Sequence, residues 1–335
     1  MSAPHVHIIA EVGSVHDGSF GNALKLIELA ARVGADSVKF QTHLPEHETL
    51  RDAPSPGYFT GEPRYDYFRR TGFTPAQWGG LKTHANDTGI ALLSSPFSVA
   101  AVDLLEAIGM PAYKVPSGEV TNIPLLEHIA ATGKPVLLSS GMSSWAELDA
   151  AVAVFTESHV AGGLTVMQCS SAYPCPPERV GLNVMREMAQ RYGRPVGLSD
   201  HTPDVYSSFA AVAQGAVVIE KHLTFSRAMY GSDAPLALEP NEFADLVRGV
   251  RAIETMMRHD IDKDDLSPYR EMKAVFEKSV VACVAIPAGT TLTRDMLDVR
   301  KPGTGIPACD VAQVVGQVAA NDIAADTLLK REDLR

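Results

Sequence analysis

Apolar and polar positions along the chain alternate between two regimes. Short runs rich in aliphatic and β-branched residues are separated by longer stretches with apolar residues at three- and four-residue spacing. The short runs are 7–12 (HIIAEV), 37–41 (SVKFQ), 91–95 (ALLSS), 112–116 (AYKVP), 135–140 (PVLLSS), 164–170 (LTVMQCS), 195–199 (PVGLS) and 216–222 (AVVIEKH). The longer spacing predicts helices over 21–34, 75–88, 98–109, 122–132, 144–157, 181–192, 204–215 and 240–259. Thr74-Pro75 and Thr202-Pro203 supply start signals, and Gly34, Gly89, Gly109 and Gly133 supply stops. Strict strand–helix alternation implies a parallel sheet with right-handed crossovers. Eight such units in roughly 260 residues match the (β/α)8 TIM barrel of about 250. An open doubly wound sheet is the alternative, but no GxGxxG follows the first strand.

Two stretches break the rhythm. The connection 42–73 carries Pro45, Pro54, Pro56, Gly57 and Pro63 among the aromatics Tyr58, Phe59, Tyr65, Tyr67 and Phe68. A loop of that length is functional or disordered, and its aromatics favour an ordered lid on the C-terminal face of the barrel. After residue 260 a charged run reads as a linker with a short helix, followed by short β runs with turn chemistry. The chain therefore divides into a barrel domain 1–265, a linker 266–278 and a small β-rich domain 279–335. A domain of about 57 residues is near the lower limit for an independent core, so it is expected to dock on something.

Composition narrows the partners. Of 335 residues, 45% are apolar, enough for a sizeable core, and the formal charge is −11. That balance argues against nucleic acid and anionic membranes as partners, though a local lysine cluster can still hold an anionic small molecule. Cys169, Cys175, Cys283 and Cys309 form no CxxC pair and no zinc spacing, which suits a reduced, cytoplasmic setting. The N-terminus lacks the basic and apolar regions of a signal peptide, and no stretch reaches the ~18 apolar residues of a membrane span.

In such barrels the chemistry lies at the C-terminal ends of the strands. Here the ends carry Glu11; Lys39 and Gln41; Ser94 and Ser95; Lys114, Ser117 and Glu119; Ser139, Ser140 and Gly141; Ser170, Ser171 and Tyr173; Ser199, Asp200 and His201; and Glu220, Lys221 and His222. Two lysines with several hydroxyls suit a phosphate or carboxylate. His201 and His222, in matched positions on neighbouring strands, can share one divalent cation, and neutral imidazole suits Mn, Fe, Co or Zn better than Mg. Blander readings stand beside these. A lone strand-end histidine is more often a structural hydrogen-bonder, Glu220 and Lys221 can pair with each other, and serines cap helices. Cys169 reads as a small buried apolar residue, and DIDKDDL as a solvated run without the Gly and Glu of an EF-hand.

Nine stretches, taken in order, resemble the sialic acid synthases, the phosphoenolpyruvate-dependent synthases of nine-carbon keto-sugar acids. They are IIAEVGSVHDGS (8–19), GADSVKFQTH (34–43), YKVPSGEVTN (113–122), LLSSGM (137–142), QCSSAYPCP (168–176), GLSDHT (197–202), IEKHLTFSR (219–227), GSD (231–233) and LEP (238–240). IPAGTTLT (286–293) and RKPGTGIP (300–307) resemble that family's antifreeze-like (SAF) C-terminal domain. The resemblance implies condensation of phosphoenolpyruvate with an N-acetylmannosamine-type aldehyde sugar and release of phosphate by C–O cleavage. It implies a divalent metal, Mn2+ first with Mg2+ or Co2+ as alternatives, on His201 and His222, polarising the aldehyde. Lys39, Lys114, Ser117, Ser139, Ser171 and Ser199 would hold phosphoenolpyruvate. Gln41, Tyr173 and Asp233, with Glu11 and Glu119, would face the sugar or the water, and either glutamate would serve as general base. Asp200 would orient an imidazole.

The resemblance further implies a domain-swapped homodimer in which the SAF domain closes the partner's barrel and a basic turn residue reaches the sugar. Lys301 stands where the family often has Arg, so either it or Arg300 would make that contact. Ser171 stands in place of a common Asn, Gln168 of a common His, and Ala234 of a frequent His. Legionaminic, pseudaminic and Kdn-type synthases share the scaffold. The rivals are a Schiff-base aldolase with Lys114 as nucleophile and a non-catalytic sugar-binding protein.

Overall fold

The computed structural model describes residues 5–54, 62–158, 160 and 163–335, which form two compact units, Met1–His259 and Asp260–Arg335. In the first unit eight parallel strands close into a barrel: β1 (His7–Gly13), β2 (Ser37–Thr42), β3 (Ala91–Pro96), β4 (Tyr113–Val115), β5 (Val136–Ser139), β6 (Leu164–Cys169), β7 (Val196–Asp200) and β8 (Val218–His222). β1 pairs with both β2 and β8, which aligns Glu11 with Lys39 on one side and with His222 on the other. Each predicted strand and helix is present, and the (β/α)8 class holds. Side-chain caps begin the helices where the sequence offers them. Thr74 with Gln77, and Ser144 with Glu147, form reciprocal capping boxes that satisfy otherwise orphaned backbone donors.

Alternation along each strand separates two environments. Outward residues such as Ile8, Ala10, Val38, Phe40 and Leu92 build the main core against the helices. Inward residues form a small apolar floor of Ile9, Leu93, Met167 and Val218. Two residues further along their strands, toward the C-terminal ends, Glu11, Ser95, Cys169 and Glu220 succeed that floor.

The same alternation overturns two sequence expectations. Glu220 and Lys221 are adjacent on β8 and face opposite sides, so they cannot pair. Lys221 points outward and lies 2.9 Å from the carboxylate of Asp200 on β7. It also donates to the carbonyl of Thr202 at 2.6 Å. Asp200 in turn accepts from Ser207, Ser208 and the Thr202 amide, at 2.5, 2.7 and 2.9 Å. It therefore orients no imidazole: it anchors the turn after β7 on the side of the strand opposite His201. Burial opposes its charge, yet Lys221 and these donors hold its carboxyl below the usual range. Lys221 bears the desolvation cost, and burial draws its ammonium below its ordinary value despite Asp200.

The connection after β2 is ordered where it is described. It carries helices Pro45–Glu48 and Arg64–Thr71, the latter burying Tyr65, Tyr67 and Phe68. Pro56, Gly57, Tyr58 and Phe59 of the expected lid lie outside the described residues. The second unit has an antiparallel sheet in the order β10 (Leu297–Arg300), β9 (Ser279–Ala282), β11 (Thr327–Leu328). Its own core includes Val280, Ile286, Leu292, Leu297, Ile306 and Leu329. Helix Arg270–Phe276, within the expected linker, belongs to this unit: the amide of Gly303 donates to the carbonyl of Ala274 at 2.8 Å. Among the described residues no helix is long and apolar enough to cross a membrane.

Asp200→Ala leaves a buried ammonium without its counter-charge and is expected to cost about 3–5 kcal/mol in urea unfolding. Adding Lys221→Met should recover part of that loss. The aspartate's contribution is complete above about pH 4 and is lost as pH falls through its lowered pKa, so the gap to wild type should narrow in acid.

Candidate active site

A cavity of about 470 Å3 opens at the C-terminal ends of the strands. Its base is a buried set of four charges. Lys114 Nζ lies 2.8 Å from Glu220 Oε1, and Lys39 Nζ lies 2.7 Å from Glu11 Oε2 and 3.7 Å from Glu220 Oε2. Hydrogen bonds complete the set. Lys39 donates to Ser95 Oγ at 3.0 Å, Ser199 Oγ to Glu220 Oε1 at 3.0 Å, and Gln41 Nε2 to Glu11 Oε1 at 2.8 Å. Burial alone would lower the pKa of Lys39, but Glu11 and Glu220 outweigh it and raise it. Burial works against the charge of Glu220 as well, and Lys114 and Lys39 hold its carboxyl well below the usual range. Glu220 is among the strand-end residues of the sequence, but no site role was expected of it. Its place two residues before His222, on the same face of β8, was the signal.

The two histidines converge. Their ring centroids are 5.6 Å apart. His201 Nδ1 lies 2.8 Å from the carbonyl of Ser170, which can only accept, so Nδ1 carries the hydrogen, and in the neutral ring Nε2 keeps a lone pair. His222 Nδ1 is buried and has no hydrogen-bond partner among the described residues. Burial lowers the pKa of His222, which favours the neutral imidazole that binds metals. Two nitrogen donors, one otherwise orphaned, fit a divalent cation of the Mn to Zn series. Among the described residues no set of three His, Cys, Asp or Glu forms a metal cluster, so such an ion would keep positions for other ligands. Cys169 is buried, as expected, and it also meets a histidine. Its sulfur lies 3.9 Å from His201 Nδ1. Burial would raise its pKa, but His201 outweighs that and brings the thiol to about 7.

Three strand-end loops meet in the cavity, two of them bringing hydroxyls and the third a glycine. A Cβ at Gly141 would come within 2.3 Å of Ser171 Oγ and 2.5 Å of Ser117 Oγ, so only glycine leaves room between them. Ser171 Oγ is buried with no protein partner among the described residues. Ser139, Ser199, Gln41 and Tyr173 also line the cavity, and the Tyr173 ring centroid lies 4.2 Å from that of His201. Asp233 lines it too, accepting from the Ser14 amide at 2.9 Å. Gly13, with φ +47°, admits that carboxylate where a Cβ would meet Asp233 Oδ2 at 2.3 Å.

One expected site residue stands apart. Glu119 is not among the residues lining the cavity; its carboxylate accepts from Asn122 at 2.7 Å. Burial raises its pKa. Lys301 belongs to the second unit, with its ammonium 5.1 Å from the centroid of Phe276, while the neighbouring Arg300 is held by Asp298 and Asp326 at 3.1 and 2.7 Å. Conversely, His43, Arg64, Phe97 and Met142 line the cavity without having been singled out, and Phe68, one of the expected lid aromatics, joins them. Arg64 and Phe68 sit on the helix of the long connection, where the sequence shows no period to announce them.

The NeuB family pattern matches residues 26–262 and the SAF domain matches 277–335. The chain is 35% identical to the N,N'-diacetyllegionaminic acid synthase of Campylobacter jejuni, over 96% of this chain and 98% of that one. It is likewise 35% identical to the human N-acetylneuraminate-9-phosphate synthase, over 97% and 91%. The crystal structure of the N-acetylneuraminic acid (sialic acid) synthetase of Leptospira borgpetersenii in complex with citrate superposes with a TM-score of 0.71 at 31% identity, covering 80% of this chain and 90% of that one. With the barrel, the charged floor and the paired histidines in place, these likenesses settle the family: the chain belongs to the NeuB family of sialic acid synthase-type enzymes and carries a C-terminal SAF domain.

Proposed function

We propose that the chain condenses phosphoenolpyruvate with N-acetylmannosamine or a related acylamino-hexose, giving a nine-carbon keto-sugar acid and inorganic phosphate. The observation that carries this reading is that Lys39, Lys114, a set of serine hydroxyls and the paired His201 and His222 all line one cavity. Lysines supply charge for the carboxylate and phosphate of phosphoenolpyruvate, and Ser117, Ser139, Ser171 and Ser199 supply directed hydrogen bonds. His201 and His222 would hold a divalent metal, Mn2+ before Mg2+ or Co2+, whose chemistry is to polarise the aldehyde oxygen.

Carbon 3 of phosphoenolpyruvate then bonds to the aldehyde carbon, water adds to carbon 2, and phosphate leaves with its bridging oxygen. Glu11 is favoured over Glu119 as the base that takes the water's proton, because Glu11 lines the cavity and Glu119 does not. Gln41, Tyr173 and Asp233 face the sugar. A legionaminic, pseudaminic or Kdn-type product requires the same chemistry with a different hexose. The Schiff-base alternative needs a Lys114 nitrogen free to attack, and that nitrogen is engaged at 2.8 Å by Glu220 Oε1. A homodimer in which Lys301 reaches the partner's sugar site remains part of the proposal, and Lys301 suits it better than Arg300, which two aspartates hold.

Phosphate release on mixing phosphoenolpyruvate, an acylamino-hexose and Mn2+ is the direct test, and no release with any hexose of a broad panel would remove the synthase reading. His222→Ala is expected to lower phosphate release on the order of a hundredfold or more and to abolish calorimetric Mn2+ binding, with the melting profile retained. Borohydride with a keto acid should trap no adduct on Lys114. Lys301→Ala should raise KM for the sugar while leaving KM for phosphoenolpyruvate near wild type, and deleting 279–335 should shift the sedimentation profile toward monomer.

A further inference from the structure

His43 leaves the end of β2 two residues after Gln41 and is buried between two aromatic rings. Its centroid lies 3.6 Å from that of Phe68 and 4.0 Å from that of Phe97, nearly parallel to both. In the ring plane both nitrogens are engaged, Nδ1 at 2.8 Å from Glu48 Oε1 and Nε2 at 3.2 Å from Gln41 Oε1. The second oxygen of Glu48 accepts the Leu44 amide at 3.2 Å, which fixes that carboxylate in turn.

The direction of this chain follows from its far end. Glu11 sits 2.7 Å from the Lys39 ammonium and acts as an acceptor, so Gln41 must turn its NH2 toward it. That leaves the Gln41 carbonyl oxygen facing His43, and a carbonyl only accepts. His43 Nε2 must therefore carry a hydrogen, and because the Glu48 carboxylate likewise only accepts, Nδ1 carries one too, so the ring donates from both nitrogens. We infer that His43 is a positioning residue: clamped by Phe68, Phe97 and Glu48, it holds the Gln41 amide in one of its two orientations, so that Gln41 presents NH2 to Glu11 and to the cavity. Without that donor the amide is free to flip and would set its carbonyl against a carboxylate. The consequence for a substrate is chemical. The group that meets Gln41 is an acceptor, a hydroxyl or carbonyl oxygen, and not an N–H. This last step rests on the synthase reading; the hydrogen-bond lock does not.

Two measurements on the full chain test it. In wild-type protein labelled with 15N at histidine, His43 Nε2 should show the shift of a protonated, pyrrole-type nitrogen; an unprotonated Nε2 overturns the inference whatever the reaction. In kinetics, His43→Phe fills the slot between the two rings but removes both hydrogen bonds, and should lower kcat/KM for the sugar about tenfold. Because His43 acts through Gln41, the same substitution in a Gln41→Ala background should cost nothing further. Losses that multiply in the double variant overturn the positioning role. A His43→Phe chain that failed to fold would leave the labelled wild-type spectrum to decide. Absence of turnover in the wild type itself would count against the synthase reading and leave the lock to the spectrum.

Discussion

The structure turns on a layer of opposite charges sealed inside a barrel. Glu11, Lys39, Lys114 and Glu220 are each almost wholly buried, and each touches a partner of the other sign. Removing such groups from water costs several kcal/mol per ion, and a close-packed apolar layer of similar volume would often serve stability as well or better. Four charges in place of aliphatic side chains are therefore a mark of chemistry rather than of folding. The layer is formally neutral, so it can stand without a ligand. Its lysines are nevertheless close enough to the cavity to turn toward an anion. Everything around it is arranged by it: Ser95 and Ser199 accept from it and donate to it, and Gln41 ties it through His43 to the aromatic wall.

Strand parity divides the labour at β7 and β8. Inward, His201 and His222 converge from neighbouring strands on one point of the cavity; outward, their immediate neighbours Asp200 and Lys221 form a buried bridge between the same two strands. One pleat thus carries two networks that never meet. The outer one fixes the turn from which His201 projects, through Thr202, Ser207 and Ser208. Among the described residues the inner one is left with an orphaned imidazole nitrogen and an unpartnered serine hydroxyl, both costly in an interior unless something fills them.

The barrel was legible in the sequence because its cause is local and periodic. Eight apolar runs, eight helical periods and their Thr-Pro and Gly punctuation suffice to name the elements, and the rule that chemistry sits at the strand ends collects the charged residues. Family resemblance added roles for Lys39, Lys114 and the serines that composition alone could not. Reasoning failed where partners had to be assigned. Adjacency allows a Glu220–Lys221 pair and an Asp200–imidazole contact on paper, and the structure forms neither. Contiguity in sequence is the opposite of contact in a strand.

What the sequence by itself determined is the order and type of the elements, the small β-rich unit at the end of the chain, and the list of polar groups at the barrel mouth. Only the tertiary structure decided which of them meet: Lys114 with Glu220 across 106 residues, Lys39 with Glu11, Lys221 with Asp200, and His43 between Phe68 and Phe97. It also set Glu119 aside from the cavity lining and brought Arg64 and Phe68 into it. The reason is that period and propensity act within a few residues, whereas pairing depends on register and closure. The alignment of Glu11 with Lys39 and His222 exists only once β1 has found both of its neighbours.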